Sequence, residues 1–403
     1  MNRVHQVVGV TAGCLFTVLG EAGPRRQATL EGRAVLAANT FAAGPPSGTQ
    51  LGAGPINGVS VPFDRQPVQG VSALNATGIP GEFWAMPDNG YGRKDNSADF
   101  NLRVYRIRPD FETEHGGSGG IAVLGWVELC DPDGHVPFPI VNDGSGDRVL
   151  TGADFDIESM RIDHGGDFWF GDEFGPFILH TDAQGRVLEA PFTLAGVVSP
   201  ASPFLAGGTP TLPNSRGFEG MAISPDGKRL YPVLEGALVA DVDRQRRLVY
   251  EFDIASRSYT GAVRPYRTEA ASHSVPELVA LDAHRFLAIE RDSLQGAAAA
   301  FKKVFLVDFR EVDAAGYLSK QEVLDLLDID DPSGISLPAR SGDVGLGQPF
   351  RFPYETIEAL LPLDGVRVLV MNDNNYPFSA GRNPALPDDN EAIVLRVGSL
   401  KTP

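Results

Sequence analysis

The chain has 403 residues, enough for one large all-β domain or two smaller ones. Gly (46) and Pro (31) are abundant, yet 42% of residues are hydrophobic, which excludes a disordered chain and points to a fold rich in turns. Asp and Glu exceed Lys and Arg by 52 to 34, a formal charge of −18, so nucleic acid and anionic lipid are excluded as partners. Such acidity serves either solubility or a carboxylate cluster that awaits a cation, and position decides between them.

At the N-terminus, Arg3 precedes an apolar run at 7–19 (VVGVTAGCLFTVL). Its length suits the core of an export signal and is too short for a membrane span. Residues 1–28 are therefore read as an export segment and 29–403 as a single domain, giving a secreted or periplasmic protein with no transmembrane span. A first β-strand is the competing reading of the run. Cys14, in Ala-Gly-Cys, offers a lipid anchor. With Cys130 it forms neither a metal pattern nor a disulfide framework.

Next comes a strand-like segment at 30–41 (LEGRAVLAANTF) without an obvious partner, then a Gly/Pro-rich connection at 43–57. From there a unit recurs. A short strand opens on a polar residue, turns, and returns as an apolar strand that closes on another polar residue. The copies are Glu158-Ser-Met-Arg-Ile-Asp then FWFGDE, Glu219-Gly-Met-Ala-Ile-Ser then RLYPVLE, Glu277-Leu-Val-Ala-Leu-Asp then RFLAIER, and Glu358-Ala-Leu-Leu-Pro-Leu then RVLVMND. A degenerate first copy reads Ser72-Ala-Leu-Asn then EFWAMPDN. From opening to closing residue the spacing is 16 (Ser72 to Asp88), 14 (Glu158 to Asp172), 16 (Glu219 to Glu235), 13 (Glu277 to Glu290) and 14 (Glu358 to Asn372). An antiparallel hairpin brings both residues to one end.

A third strand follows each hairpin, at 102–107, 176–182, 248–254, 303–309 and 392–397. Residues 120–129 form a further strand that leaves room for a sixth unit. The best helical stretch is 319–327, with a second helical turn at 293–301, and 325–334 reads as a solvated loop. The fold class is all-β, a β-propeller of five to six four-stranded blades. Pairing the N-terminal strand with the C-terminal blade closes the ring and covers both sheet edges.

Inner strands of a propeller line its channel. Glu158, Glu219, Glu277 and Glu358 thus converge by symmetry, and crowded carboxylates repel unless protonated or bound to cations. Asp88, Asp172, Glu173, Asn372 and Asp373 add oxygen ligands. Hard oxygen donors with no His or Cys pattern favour Ca²⁺ over Mg²⁺ or Mn²⁺. Arg216, Arg291 and Arg382 suit an anionic group, and Glu235 or Glu290 orients or deprotonates a water. No G-x-S-x-G elbow supports serine chemistry. His164, His180 and His273 read as turn or strand residues.

These stretches resemble the bacterial family described as "esterase-like activity of phytase", over about 30–400. The resemblance rests on ESMRIDHGGDFWFGDEFGPFILHTDAQGRVL, GFEGMAISPDGKRLYPVLEGAL, ELVALDAHRFLAIERDS, FKKVFLVDF and IEALLPLDGVRVLVMNDNNYPFSAGR. It implies an exported propeller akin to calcium-dependent phytases. Where relatives read Ser-Gly-Leu then Asp-Asp, this chain has Ser72-Ala-Leu and Asp88-Asn89, which weakens a ligand from this blade. The combined expectation is a metal-dependent hydrolase of a small anionic phosphoester or related ester. Competing readings are a lactonase or sugar-acid hydrolase of the calcium propeller type, and a non-catalytic calcium-stabilised binding propeller.

Overall fold

The computed structural model describes residues 27–400. Residues 1–26, which hold most of the expected export segment (1–28) and Cys14, lie outside the described residues. The fold is all-β, and helix among the described residues is limited to one 3-10 turn, Gly296–Ala298. No helix among them is long and apolar enough to cross a membrane. Cys130 is a free thiol.

Each recurring unit is an antiparallel sheet whose strands follow in chain order. The first runs Val71–Ala76, Phe83–Pro87, Arg103–Asp110 and Gly120–Glu128. The second runs Ile157–Ile162, Phe168–Asp172, Phe177–Thr181 and Phe192–Thr193. The third runs Phe218–Ile223, Arg229–Leu234, Arg246–Asp253 and Ser258–Arg267. The fourth runs Ser274–Ala280, Arg285–Arg291, Lys302–Val312 and Leu318–Asp325. The fifth runs Thr356–Pro362, Arg367–Asp373 and Asn390–Arg396, and its outer strand is Ala28–Leu36, antiparallel in a register from Thr29↔Arg396 to Leu36↔Asn390. A single parallel pairing, Val35 with Gly120, ties this outer strand to that of the first sheet.

The sheets bury both faces, so their inner strands read as nearly continuous apolar runs such as FWFGD. Five apolar layers lie between successive sheets. Met86 and Val104 meet Phe168 and Leu179, and Trp169 and Ile178 meet Met221 and Leu248. Ala222 and Val249 meet Leu278 and Phe305, and Val279 and Leu287 meet Leu360 and Ile393. Leu369 and Ala392 then meet Leu74 and Tyr105, returning to the first sheet. Each large side chain fully buried here contributes about 1.5–3 kcal/mol. The result is a propeller-like ring of stacked sheets.

Two expectations are corrected. Residues 318–325 are a strand, not a helix, because Leu318–Asp325 pairs along Lys302–Val312, and sheet pairing overrides local helix preference. Residues 120–128 are the outer strand of the first sheet and start no further unit. The loop at 325–334 is partly ordered: Ile329 and Asp330 pair with the outer strand, and buried Asp331 accepts the Ile335 and Ser336 amides.

A buried ion cluster reinforces the seam between the chain ends. Arg33, on the N-terminal strand, donates to Glu391 Oε2 at 3.0 Å. Arg382 Nη2 donates to Glu391 Oε1 at 2.9 Å, and Tyr354 Oη to Oε2 at 2.7 Å. Burial would raise the Glu391 carboxyl, but Arg382 and Arg33 overcome it and hold it at about 2. Glu391→Gln leaves buried Arg382 and partly buried Arg33 short of a counter-charge. It should cost about 3–5 kcal/mol in urea unfolding; an unchanged midpoint would mean the seam does not depend on this cluster.

Candidate metal centre

The site begins with a defect repeated in every sheet. In each inner hairpin the register slips near the first residues of the inner strand: between Val71 and Ala73, Ile157 and Ser159, Phe218 and Met221, Ser274 and Glu277, and Ile357 and Ala359. Such a bulge leaves one residue unpaired and re-aims its side chain. Alignment of the registers gives the unpaired residues as Ser72, Glu158, Glu219, Pro276 and Glu358. Proline, which has no amide hydrogen, suits the position. Glu277 is therefore one residue out of phase with the other openers, pairing with Ile289 as Ser159 pairs with Gly171. The inner strands approach closely here, since a Cβ on Gly220 would stand 2.9 Å from Glu277 Cα.

The returning strands close on Asp88, Glu173, Glu235, Arg291 and Asp373. Asp156, just ahead of its inner strand, joins them. Eight carboxylates thus share one region: Asp88, Asp156, Glu158, Glu173, Glu219, Glu235, Glu358 and Asp373. All are buried except the partly exposed Glu158. Asp156, Glu158 and Glu173 each bring an oxygen within 4.8 Å of the others, and so do Glu173, Glu219 and Glu235. Two cations answer them. Arg291 Nη2 lies 2.7 Å from Glu358 Oε1 and 3.5 Å from Glu219 Oε1. Arg216, half exposed, pairs with Glu235. Ser72 Oγ donates to Glu358 Oε2 at 3.1 Å.

The charge is under-compensated. Burial, with Asp88 and Asp172 nearby, pushes Asp156 well above the usual carboxylate range. Burial and Asp156 do the same to Glu158, burial and Glu235 to both Glu173 and Glu219, and burial and Asp88 to Asp373. Burial takes Asp88 to about 7. Asp156 Oδ1 and Glu173 Oε1 are buried without any hydrogen-bond donor. Buried acceptors without donors, in an all-oxygen set, fit a hard divalent cation.

Other residues singled out by the sequence serve elsewhere. Glu277 pairs with buried Arg161, and burial still raises its carboxyl to about 7. Asp172 accepts the Asp156 and Gly175 amides, each at 2.8 Å, and so shapes the loop that carries Glu173. Asn372 Oδ1 accepts the Glu391 amide at 2.6 Å, while its amide group donates to the Asp373 and Asp389 carbonyls. Glu290 faces away from Arg291, as strand alternation requires. It accepts from Tyr266, Lys320, His273 and the Glu269 amide. Burial opposes its ionisation, but the bonds from His273 and Lys320 hold its carboxyl below the usual range. Arg382 belongs to the Glu391 seam. The sequence reading missed Asp156, which precedes the repeat, and Arg161, whose repeat position carries Ala222, Ala280 and Leu361 in the other full copies. A groove of about 540 Å³ beside the outer strand, lined by Thr29, Phe111, His115 and Arg396, contains none of the eight carboxylates.

Carboxyl groups raised on folding keep protons that the unfolded chain releases. Between about pH 4 and 7 the native state then binds more protons, so stability falls as pH rises. In chelator, the melting temperature should decline from about pH 5 to 8, and Ca²⁺ should restore it at pH 8. Glu173→Gln should flatten the decline and weaken the rescue. A flat profile in the unmodified protein, with or without Ca²⁺, would contradict a crowded cation site.

Residues 66–376 match the family described as esterase-like activity of phytase. A protein of Arthroderma benhamiae, named only as an uncharacterized secreted protein, is 25% identical over 286 residues, covering 54% of this chain and 56% of its own length. The chain thus spans about half the length of that curated relative. Among solved structures, an exo-beta-1,3-galactanase from Clostridium thermocellum aligns at 12% identity with a TM-score of 0.47, over 91% of this chain and 64% of its own. A luciferin-regenerating enzyme aligns at 12% identity with a TM-score of 0.40, over 93% and 96%. These structural likenesses are too distant to bear on function. The family match spans most of the chain and includes all five inner hairpins, and on that ground the protein belongs to the family described as esterase-like activity of phytase.

Proposed function

We propose that this is an exported, single-domain five-bladed ring, closed by its N-terminal strand, that hydrolyses small anionic phosphoesters or related esters with a divalent cation, Ca²⁺ ahead of Mg²⁺ or Mn²⁺. The observation that carries this reading is the pair of donorless buried oxygens, Asp156 Oδ1 and Glu173 Oε1, among eight carboxylates. Asp156, Glu173, Glu219 and Glu235 would hold the cation between the second and third sheets. When bound, it supplies positive charge to polarise a phosphoryl or acyl oxygen.

The chain's own groups divide the remaining work. Arg291 fixes Glu358 and Glu219. Arg216, half exposed, reaches the rim and would orient the anionic group of a substrate. Glu158, partly exposed beside Asp156 and Glu173, would accept the proton of the attacking water. Exposed cations close to the cluster are few, which favours a singly charged or small ester over a highly phosphorylated one.

Glu219→Gln should lower Ca²⁺ affinity about tenfold, a loss of about 1.4 kcal/mol, and reduce kcat/KM at least as much. Calorimetry and turnover of p-nitrophenyl phosphate, p-nitrophenyl acetate and a simple lactone provide the checks. Arg216→Ala should raise KM for the phosphate more than for the acetate. Turnover of the lactone alone favours a sugar-acid hydrolase. Calcium-dependent melting without turnover favours a binding ring. Unaltered calcium content and rate in Glu219→Gln would sink the assignment.

A further inference from the structure

A second cluster lies away from the channel, on the second sheet. Asp163 and Asp167 flank the turn between Ile157–Ile162 and Phe168–Asp172, and His180 sits on the neighbouring strand, paired across from Trp169. The imidazole stacks on the Trp169 indole with centroids 3.8 Å apart and planes 12° from parallel, which fixes the ring. Its Nδ1 lies 2.7 Å from Glu189 Oε1. Glu189 is already charge-balanced by Arg257, whose Nε is 3.0 Å from the same oxygen.

Nδ1 is thus the protonated nitrogen by geometry, and Nε2 carries the lone pair. His180 is 1% exposed, and its Nε2 has no hydrogen-bond partner. It stands 3.5 Å from Asp167 Oδ2, and Asp163, Asp167 and His180 each bring a ligand atom within 4.8 Å of one another. Asp163 is held in place by the Gly165 amide at 2.7 Å and by Trp169 Nε1 at 3.0 Å. The Asp167 side chain is 36% exposed, which gives an ion a route from solvent.

We infer that Asp163, Asp167 and His180 Nε2 form a second, peripheral site for a borderline divalent transition-metal ion such as Zn²⁺. An imidazole with two carboxylates selects such an ion over Ca²⁺, which takes oxygens. Glu189 on Nδ1 is the outer carboxylate that orients a metal-binding histidine, and the Trp169 stack fixes the plane of the ring. This site shares no residue with the channel and stands whether or not the channel binds calcium.

The test is Zn²⁺ titration by calorimetry of the whole protein in excess Ca²⁺, with Co²⁺ absorption as a second readout. One Zn²⁺ per chain is expected, its Kd weakened at least tenfold in Asp167→Asn and in His180→Gln, with a visible Co²⁺ band lost in both. Should His180→Gln fail to fold, the partly exposed Asp167→Asn still decides. Equal Zn²⁺ binding by Asp167→Asn and the unmodified protein, or no binding at all, overturns the site. So does ¹⁵N spectroscopy showing His180 doubly protonated and unmoved by Zn²⁺, which would make it an ion-pair residue between Glu189 and Asp167.

Discussion

Everything at the centre of this protein follows from the packing of like charges where water is scarce. A bulge near the mouth of each inner hairpin leaves one residue unpaired, and in three of the five sheets that residue is a glutamate. The returning strands add four more carboxylates and one arginine. Among neutral side chains the same geometry would give an inert plug. Here it concentrates negative charge that the sheets around it cannot relax, because each inner strand is wedged between apolar layers and, at Gly220, against the backbone of its neighbour.

The chain compensates part of that charge itself, and unevenly. The fourth sheet has proline at the bulge and an arginine, Arg291, at the closing position. Its own glutamate, Glu277, is displaced by one residue and neutralised by Arg161 from the second sheet. The fifth sheet's glutamate is bonded by Arg291 and Ser72. Of the eight clustered carboxylates, the buried oxygens without donors are Asp156 Oδ1 and Glu173 Oε1 at the second sheet, beside Glu219 and Glu235 of the third. The asymmetry of the sequence repeat therefore converts a five-fold arrangement into a one-sided site, and a single cation on that side would relieve the most repulsion.

Much of this was legible in the sequence because the hairpin repeat has a strong period. The polar openers, the apolar returns and the third strands all fall where their residue types place them, and the unpartnered segment at 30–41 finds its place against the last sheet. What was hidden was phase. Spacing alone does not reveal a bulge, so Glu277 looked equivalent to Glu219 although its neighbour Pro276 holds that position. Adjacent polar pairs posed the same difficulty. In Glu290-Arg291 and Asn372-Asp373 only the second residue reaches the cluster, while in Asp172-Glu173 the first borders it through the Asp156 amide and the second enters it, and only the register shows which. Asp156 carried no signal, since it precedes the repeat. The segment at 319–327 reads as helical because Lys, Gln, Glu and Leu favour helix locally, while the exposed edge of Lys302–Val312 needs a partner and takes Leu318–Asp325.

The distribution of charge also separates what the fold needs from what it tolerates. Glu391 and Glu290 are buried acids with full complements of donors, held below the usual carboxylate range, and both tie strands together. The central acids are buried with too few donors and are held above it. Buried ionisable groups in the first class stabilise at neutral pH, and those in the second destabilise. A chain under selection for stability alone would replace Glu173 or Asp156 with a neutral residue of similar size. A cation bound among them would relieve this repulsion by supplying the positive charge that Asp156 Oδ1 and Glu173 Oε1 lack, and would turn a destabilising cluster into a stabilising one.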